Sequence, residues 1–191
     1  MRILRAENYR RMPWKNGGGE TAEIAVSPEG AGLEDFEWRI SMARVDAGGP
    51  FSVFPDVDRT LSVLEGEGIM LSIADRRPER LTGASAPYSF PGDVAANADL
   101  VAGPITDLNV MARRGRYRHR VIVHQVEEAK DLSFNGTQAL LFCPSLDLRV
   151  RANAFDERLA RFDAVILKDP QTALRIVGRG QIFVIELDRL P

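Results

Sequence analysis

The chain has 191 residues, 45% of them apolar and 27% charged, enough for one globular domain or two small halves sharing a core. A net charge of −2 and a pI of about 5.8 exclude a global field favouring nucleic acid, and no apolar run reaches membrane-spanning length. The N-terminal Met1-Arg2-Ile3-Leu4-Arg5 lacks the apolar stretch of a signal peptide, and the single Cys143 cannot close an internal disulfide, so the expected location is a reducing cytoplasm.

Residues 1–9 read as a first strand or a short lead-in. Met12-Pro13-Trp14-Lys15-Asn16-Gly17-Gly18-Gly19 follows. Three consecutive glycines forbid a stable helix or central strand, so the backbone turns sharply there or something approaches it closely. Residues 21–26 read as a strand ended by Ser27-Pro28-Glu29-Gly30. Residues 36–45 alternate cleanly, with Trp38, Ile40 and Met42 on one face and Arg39, Ser41 and Ala43 on the other. A Gly/Pro-punctuated loop from residue 48 feeds a β-rich run over 59–64. The turn Glu65-Gly66-Glu67-Gly68 joins that run to another over 69–73, which reads as a hairpin. Residues 75–86 are a polar connection, Tyr88-Ser89-Phe90-Pro91-Gly92-Asp93 ends in a Pro-Gly turn, and 100–103 is a short apolar piece. Residues 105–113 alternate again: Leu108, Val110 and Ala112 oppose Asp107, Asn109 and Met111.

Residues 114–126 form a basic, β-branched strand. Runs over 138–142, 146–152, 161–167, 174–177 and 181–187 make a second series, separated by Gly, Pro, Asp and Asn turns. Helix is sparse, and 153–159 is its best short candidate. Two series of short strands at this spacing predict an all-β barrel or sandwich. The second repeats the first in compressed form: 163–167 stands where Pro91-Gly92-Asp93 stands, and 180–185 where 107–111 does. The expected division is 1–112 and 113–191, packed as one compact unit.

Metal binding fails on inventory. The two histidines, His119 and His124, have an odd spacing that puts them on opposite faces of one strand. Cys143 precedes Pro144 and reads as a buried structural thiol. No Gly-x-Ser-x-Gly, phosphate loop or dinucleotide fingerprint occurs. Arg116, Arg118 and Arg120 share a face and read as a solvated surface paired with acids such as Glu127 and Glu128, not as a nucleic-acid patch. What remains is a set of polar residues at strand parity: Arg39 and Ser41, Asp107 and Asn109, with Ser52 and Arg59 flanking the loop and Lys15 and Asn16 beside the glycines. Lys15 stands out because only Lys130 and Lys168 are also Lys in this Arg-rich chain. Alternation alone leaves open whether these residues face water or a cavity.

Two resemblances bear on that choice. The loop and hairpin over 48–73 have the layout of the first ligand-carrying element of cupin barrels, including a Leu-x-Gly-x-Gly-like turn at Leu64-Glu65-Gly66-Glu67-Gly68. Metal cupins carry His and Glu in that loop; here Phe, Ser, Pro and Asp stand instead. Met12-Pro13-Trp14-Lys15-Asn16-Gly17-Gly18-Gly19, Trp38-Arg39-Ile40-Ser41, Gly49-Pro50-Phe51-Ser52-Val53-Phe54-Pro55, Pro91-Gly92-Asp93 and Asp107-Leu108-Asn109-Val110-Met111, in that order, resemble the HutD/Ves family. The chain departs from its pattern at Asp56 and Leu108, where Gly and Phe are expected. The resemblance implies an all-β cupin (RmlC-like) β-barrel or jelly roll, bicupin-like with two half-units and no catalytic metal. HutD proteins are associated with histidine utilisation, where binding of an intermediate such as N-formylglutamate or urocanate has been proposed to moderate the pathway. The Ves branch is linked to a cold or environmental response.

In a cupin, one face of each strand lines the barrel. The expected ligand site is then Trp14, Lys15, Asn16, Gly17, Arg39, Ser41, Phe51, Ser52, Phe54, Arg59, Asp107, Asn109 and Met111, converging on one cavity of the first half. Trp14, Phe51 and Phe54 supply apolar walls, and the 17–19 backbone supplies N–H donors for an anion. Lys15, Arg39 and Arg59 against the one carboxylate of Asp107 leave a positive excess, which selects a small carboxylate. The leading expectation is a non-catalytic binding protein without cofactor, nucleic-acid or membrane partner; a homodimer is compatible with it. The alternative is a metal-free isomerase or hydrolase with Asp107 as general base and Lys15 or Arg39 stabilising charge. A third reading is a scaffold whose barrel is only a fold.

Overall fold

The computed structural model describes residues 1–145, 147–168 and 173–191. The strands run in order β1 (Arg2–Leu4), β2 (Arg10–Pro13), β3 (Gly19–Ser27), β4 (Trp38–Val45), β5 (Gly49–Pro50), β6 (Val57–Glu65), β7 (Ile69–Ile73), β8 (Glu79–Leu81), β9 (Tyr88–Pro91) and β10 (Ala96–Leu100). They continue as β11 (Ile105–Arg113), β12 (Tyr117–Val126), β13 (Ala129–Leu132), β14 (Gln138–Phe142), β15 (Leu148–Ala152), β16 (Phe155–Leu159), β17 (Ala164–Leu167), β18 (Leu174–Val177) and β19 (Gly180–Arg189). A 3-10 turn at Ala6–Asn8 is the one helical piece among the described residues.

Contacts divide the chain into residues 10–117 and residues 1–9 with 118–191. The first nine residues, assigned to the N-terminal half from sequence, therefore belong with the C-terminal one, and the boundary falls after Tyr117 instead of after residue 112. β1 pairs with β17, Arg2 opposite Ile166 and Leu4 opposite Ala164, and Asp163 accepts hydrogen bonds from the Ala6 amide and the Arg5 guanidinium.

Both halves use one pairing scheme. β6 pairs with β9 and β11; β14 pairs with β17 and β19. β7 pairs with β8 and β10; β15 pairs with β16 and β18. β4 lies beside β11 as β12 lies beside β19, and β5 joins β10 as β13 joins β18. β17 and β19 thus take the places of β9 and β11, as the compressed sequence repeat implies. In the N-terminal half, Leu61, Val63, Phe90 and Ile105 of the six-stranded sheet pack with Ile69, Leu71, Leu81 and Ala98 of the four-stranded sheet. In the C-terminal half, Leu141, Val165 and Val184 pack with Val150, Leu159 and Ile176. Each fully buried side chain of this size contributes about 1.5–3 kcal/mol.

Turn chemistry fixes where strands end. Gly66 and Gly68 close the β6–β7 hairpin at φ +89 and +105, and a Cβ on Gly68 would lie 2.2 Å from the Leu81 carbonyl oxygen. The helix expected over 153–159 is instead a hairpin. Asn153, at φ +49, turns β15 into β16, whose burial alternates with the period of a strand. Residues 75–86 contain β8, and 100–103 lie at the end of β10, whose small residues Ala96 and Ala98 carry a weak strand signal. Of the run 146–152, Leu146 lies outside the described residues, and the strand is described from Leu148.

Candidate functional site

The site grows from the register of three neighbouring strands, in spatial order β4-β11-β6. Ala43, Asp107 and Val63 form one row across them, Ser41, Asn109 and Leu61 the next, and Arg39, Met111 and Arg59 the third. Side chains in a row point to one side of the sheet. Odd positions on all three strands therefore share the barrel-facing side. Trp38, Ile40, Met42, Leu108, Val110 and Ala112 are buried on the opposite side, so β4 and β11 are buried on both faces.

Two segments frame the polar rows. The loop after β5 is pinned by the Phe51 amide to the Ala96 carbonyl at 2.9 Å and by the Phe54 amide to the Gly92 carbonyl at 2.8 Å. The 12–21 segment folds back on itself, with the Trp14 amide donating to the Gly19 carbonyl at 2.9 Å and Trp14 Nε1 to Thr21 Oγ1 at 2.8 Å. Together they enclose a cavity of about 590 Å³. Arg39, Ser41, Arg59, Asp107, Asn109 and Met111 line it from the sheet; Trp14, Lys15, Asn16, Phe51, Ser52 and Phe54 line it from the loops.

Gly17 does not belong to that set. It is exposed at φ +69, and its amide donates to the Trp14 carbonyl at 3.0 Å. The Gly18 amide donates to Asn16 Oδ1 at 3.0 Å. The anion cradle expected of these glycines is thus not formed, because two of its donors are committed within the turn. Gly19 has a different reason to lack a side chain: a Cβ there would lie 2.2 Å from the Arg44 carbonyl oxygen and 3.2 Å from the Trp14 ring.

The charges in the cavity are not equivalent. Arg39 donates through Nε to Glu23 Oε2 at 2.8 Å, and both side chains are largely buried. Glu23 is a second carboxylate that alternation did not reveal, and it reduces the positive excess expected from sequence. β3 keeps one register with β4 from Gly19 to Glu23, which sets Glu23 opposite Ser41, and shifts only beyond it, between Glu23 and Ala25. Arg59 donates through Nε to Asn109 Oδ1 at 2.7 Å, and Asn109 Nδ2 donates to Asp107 Oδ1 at 2.6 Å. The Arg59 guanidinium lies 4.2 Å from the Phe51 ring centroid and 5.6 Å from that of Phe90, a cation–π arrangement. Burial lowers the Arg59 pKa to about 10, with the Asp107 charge opposing and the Arg39 charge assisting the shift, so it stays cationic at neutral pH. Burial raises Asp107 to about 7, against the opposing effects of the Arg59 charge and the Asn109 hydrogen bond. Met12, Pro13, Thr21 and Leu33 also line the cavity; Leu33 gave no signal because it lies outside any alternating run.

Elsewhere the arginines of 116–120 meet acids, but not those expected. Arg116 lies 3.6 Å from Glu37, Arg118 3.7 Å from Asp188 and Arg120 2.6 Å from Glu186. Cys143 is buried, its thiol raised to about 11 by burial, with Sγ donating to the Ser145 carbonyl. Among the described residues no group of three His, Cys, Asp or Glu side chains is placed to hold a metal ion.

The HutD family model matches residues 6–184. A Pseudomonas putida relative named "Uncharacterized 21.2 kDa protein in hutC 3'region" is 34% identical over 188 residues, covering 98% of this chain and 97% of its own. Protein Ves from Citrobacter koseri is 40% identical over 189 residues, covering 96% and 94%. The structure of HutD from Pseudomonas fluorescens SBW25, from a formate condition, is 31% identical with a TM-score of 0.85, covering 100% and 99%. A cupin 2 conserved barrel domain protein from Leptotrichia buccalis, at 6% identity and a TM-score of 0.61 over 97% and 100% of the two chains, shares the fold alone. The architecture is therefore that of a cupin with two half-units, and with its family model and its relatives spanning nearly the whole sequence, the chain belongs to the HutD family.

Proposed function

We propose that the protein binds a small carboxylate in this cavity without transforming it, and that binding regulates histidine utilisation, with N-formylglutamate or urocanate as ligand. Arg59 carries the reading. It is 7% exposed and lines the cavity, and its one hydrogen bond among the described residues is made through Nε, to Asn109, with none through Nη1 or Nη2. A buried guanidinium with two unused donors in one plane matches the two oxygens of a carboxylate. The volume suits a small molecule, and Trp14, Phe51 and Phe54 offer apolar walls for its body. The hutC-region placement in the P. putida relative's name supports the pathway assignment.

Isothermal titration against N-formylglutamate, urocanate, glutamate and simple dicarboxylates tests the reading. The expected result is binding of at least one, weakened by roughly 1.5–3 kcal/mol in Arg59→Ala, the worth of a charge-assisted hydrogen bond. Absence of heat with every compound would overturn it.

Asp107 favours a second reading. A buried cavity carboxyl held near 7 is matched to general-base work. This enzyme would be a metal-free isomerase or hydrolase acting on the same carboxylate class, with Lys15 at the mouth stabilising charge. Arg39 is less suited to that role, since Glu23 already neutralises it. Proton NMR of each compound incubated with the protein separates the two: conversion that disappears in Asp107→Asn marks an enzyme, and unchanged spectra mark a binder.

A further inference from the structure

We infer that the cavity is a proton-coupled anion site, in which docking an anion on Arg59 draws one proton from solvent onto the Asp107 carboxylate. The inference rests on the carboxylate-binding reading of the same cavity and adds a linkage to it.

Three observations lead there. Asp107 is 1% exposed, and its one hydrogen bond among the described residues comes from a neutral amide, Asn109 Nδ2. No arginine or lysine forms an ion pair with it among those residues, so its ionised form is buried without direct compensation. The charged groups facing it are few. Arg59 comes from β6, Arg39 from β4 with Glu23 of β3 attached, and Lys15 from the mouth loop. Arg39 and Glu23 cancel. The field that favours Asp107 ionisation is therefore that of Arg59, transmitted across Asn109, which accepts from one side chain and donates to the other.

An anion on the Nη atoms of Arg59 neutralises that field and displaces water from the cavity. Both changes disfavour a negative charge on Asp107, which then takes a proton. Conversely, a neutral Asp107 leaves the whole positive charge of Arg59 for the ligand. Linkage makes the two effects equal in size. The proton balance is one proton moved from buffer to a carboxylate oxygen for each anion bound, with no bond of the ligand altered. Burial already holds Asp107 at about 7 without ligand, so the coupling operates around neutral pH. Affinity is then constant below about pH 7 and falls by up to about tenfold per pH unit above it, until the higher midpoint of the liganded state is passed.

The test uses the full chain with sodium formate and with N-formylglutamate, neither of which titrates between pH 6 and 9. Titration calorimetry at pH 8 in HEPES and in Tris, whose ionisation enthalpies differ, counts the protons. The expected count approaches one per anion for wild type and zero for Asp107→Asn, which also binds with little dependence on pH. Carbon NMR of labelled aspartate carboxyls in wild type supplies a readout independent of the variant's folding: the Asp107 midpoint rises when formate is added. Binding without proton uptake, an unshifted Asp107 midpoint, or the same pH slope in Asp107→Asn overturns the coupling while leaving carboxylate binding intact. No binding of either anion at any pH overturns both.

Discussion

Arg39 and Arg59 stand in one row of the sheet on either side of Met111, yet their substitution has different consequences. Truncating Arg39 strands Glu23 as a buried, unpaired carboxylate, so Arg39→Ala costs about 3–5 kcal/mol of stability in urea unfolding. Glu23→Gln in that background recovers much of the loss; equal stability of the single and double variants would show that the pair carries no weight. Arg59→Ala, with no carboxylate bonded to it directly, shows mainly in ligand affinity. The polar rows were legible because alternation on two strands names the residues sharing a face, and the cupin resemblance says which face is enclosed. Glu23 was not legible, because nothing local says that β3 pairs with β4 in the register that sets it opposite Ser41. Asp56 is the reverse case. The family pattern expects Gly there, and the backbone shows why, with φ +57 in the left-handed region. Asp tolerates that region better than a β-branched residue does, so Asp56→Gly is near neutral and Asp56→Val costs about 1–2 kcal/mol, measured by thermal unfolding.

At the scale of elements, the β6–β7 hairpin sets the register of the site, because β6 carries Arg59 and Leu61 and its turn has no room for a side chain at Gly66 or Gly68. Gly68→Ala places a methyl against the Leu81 carbonyl at a φ that favours glycine, and is expected to destabilise by more than about 1 kcal/mol. Leu61→Ala and Val110→Ala probe opposite faces of the same sheet. Both residues are buried, and each loss should be large, about 2–5 kcal/mol for the leucine. A loss below about 0.5 kcal/mol at Leu61 would contradict its place in the barrel core. Strand existence was readable from period-two alternation at β4 and β11, and from short apolar runs bounded by turn residues at β7, β14 and β18. It failed at 153–159, where a two-residue turn followed by five strand residues is too short to distinguish from a helical turn by composition.

For the whole molecule, Asp107 gives stability a pH dependence of known sign. Its folded-state value of about 7 lies above the ordinary carboxylate value of roughly 4 that applies on unfolding. Between those limits the folded chain holds a proton that the unfolded chain releases. The contribution is thus fully present below about pH 4, is lost as pH rises to about 7, and amounts to on the order of 4 kcal/mol. Urea unfolding at pH 5, 6, 7 and 8 should show this decline in wild type and not in Asp107→Asn; parallel profiles would remove Asp107 as its source. The twofold organisation was readable as a compressed strand series, but its boundaries were not. β1 pairs with a strand about 160 residues away, a contact that no local pattern of three residues specifies. In the second half Ala139, Leu141, Cys143, Ile182 and Val184 pack as core, and the buried charge on that face is Glu186, opposite Ala139 and paired with Arg120.

The seating of Trp14 gives the protein an optical reporter. The chain has two tryptophans. Trp14 is half-buried on the cavity wall with its indole N–H held by Thr21, whereas Trp38 is buried on the other face of the sheet with its N–H unsatisfied. Their emission should differ in colour, Trp14 red-shifted by water and Trp38 blue. Occupation of the cavity would dry the first and leave the second unchanged. In a Trp38→Phe protein every change in tryptophan emission, excited beyond the tyrosine absorption, would then come from the mouth of the cavity, so its filling can be timed in a stopped-flow instrument without a label.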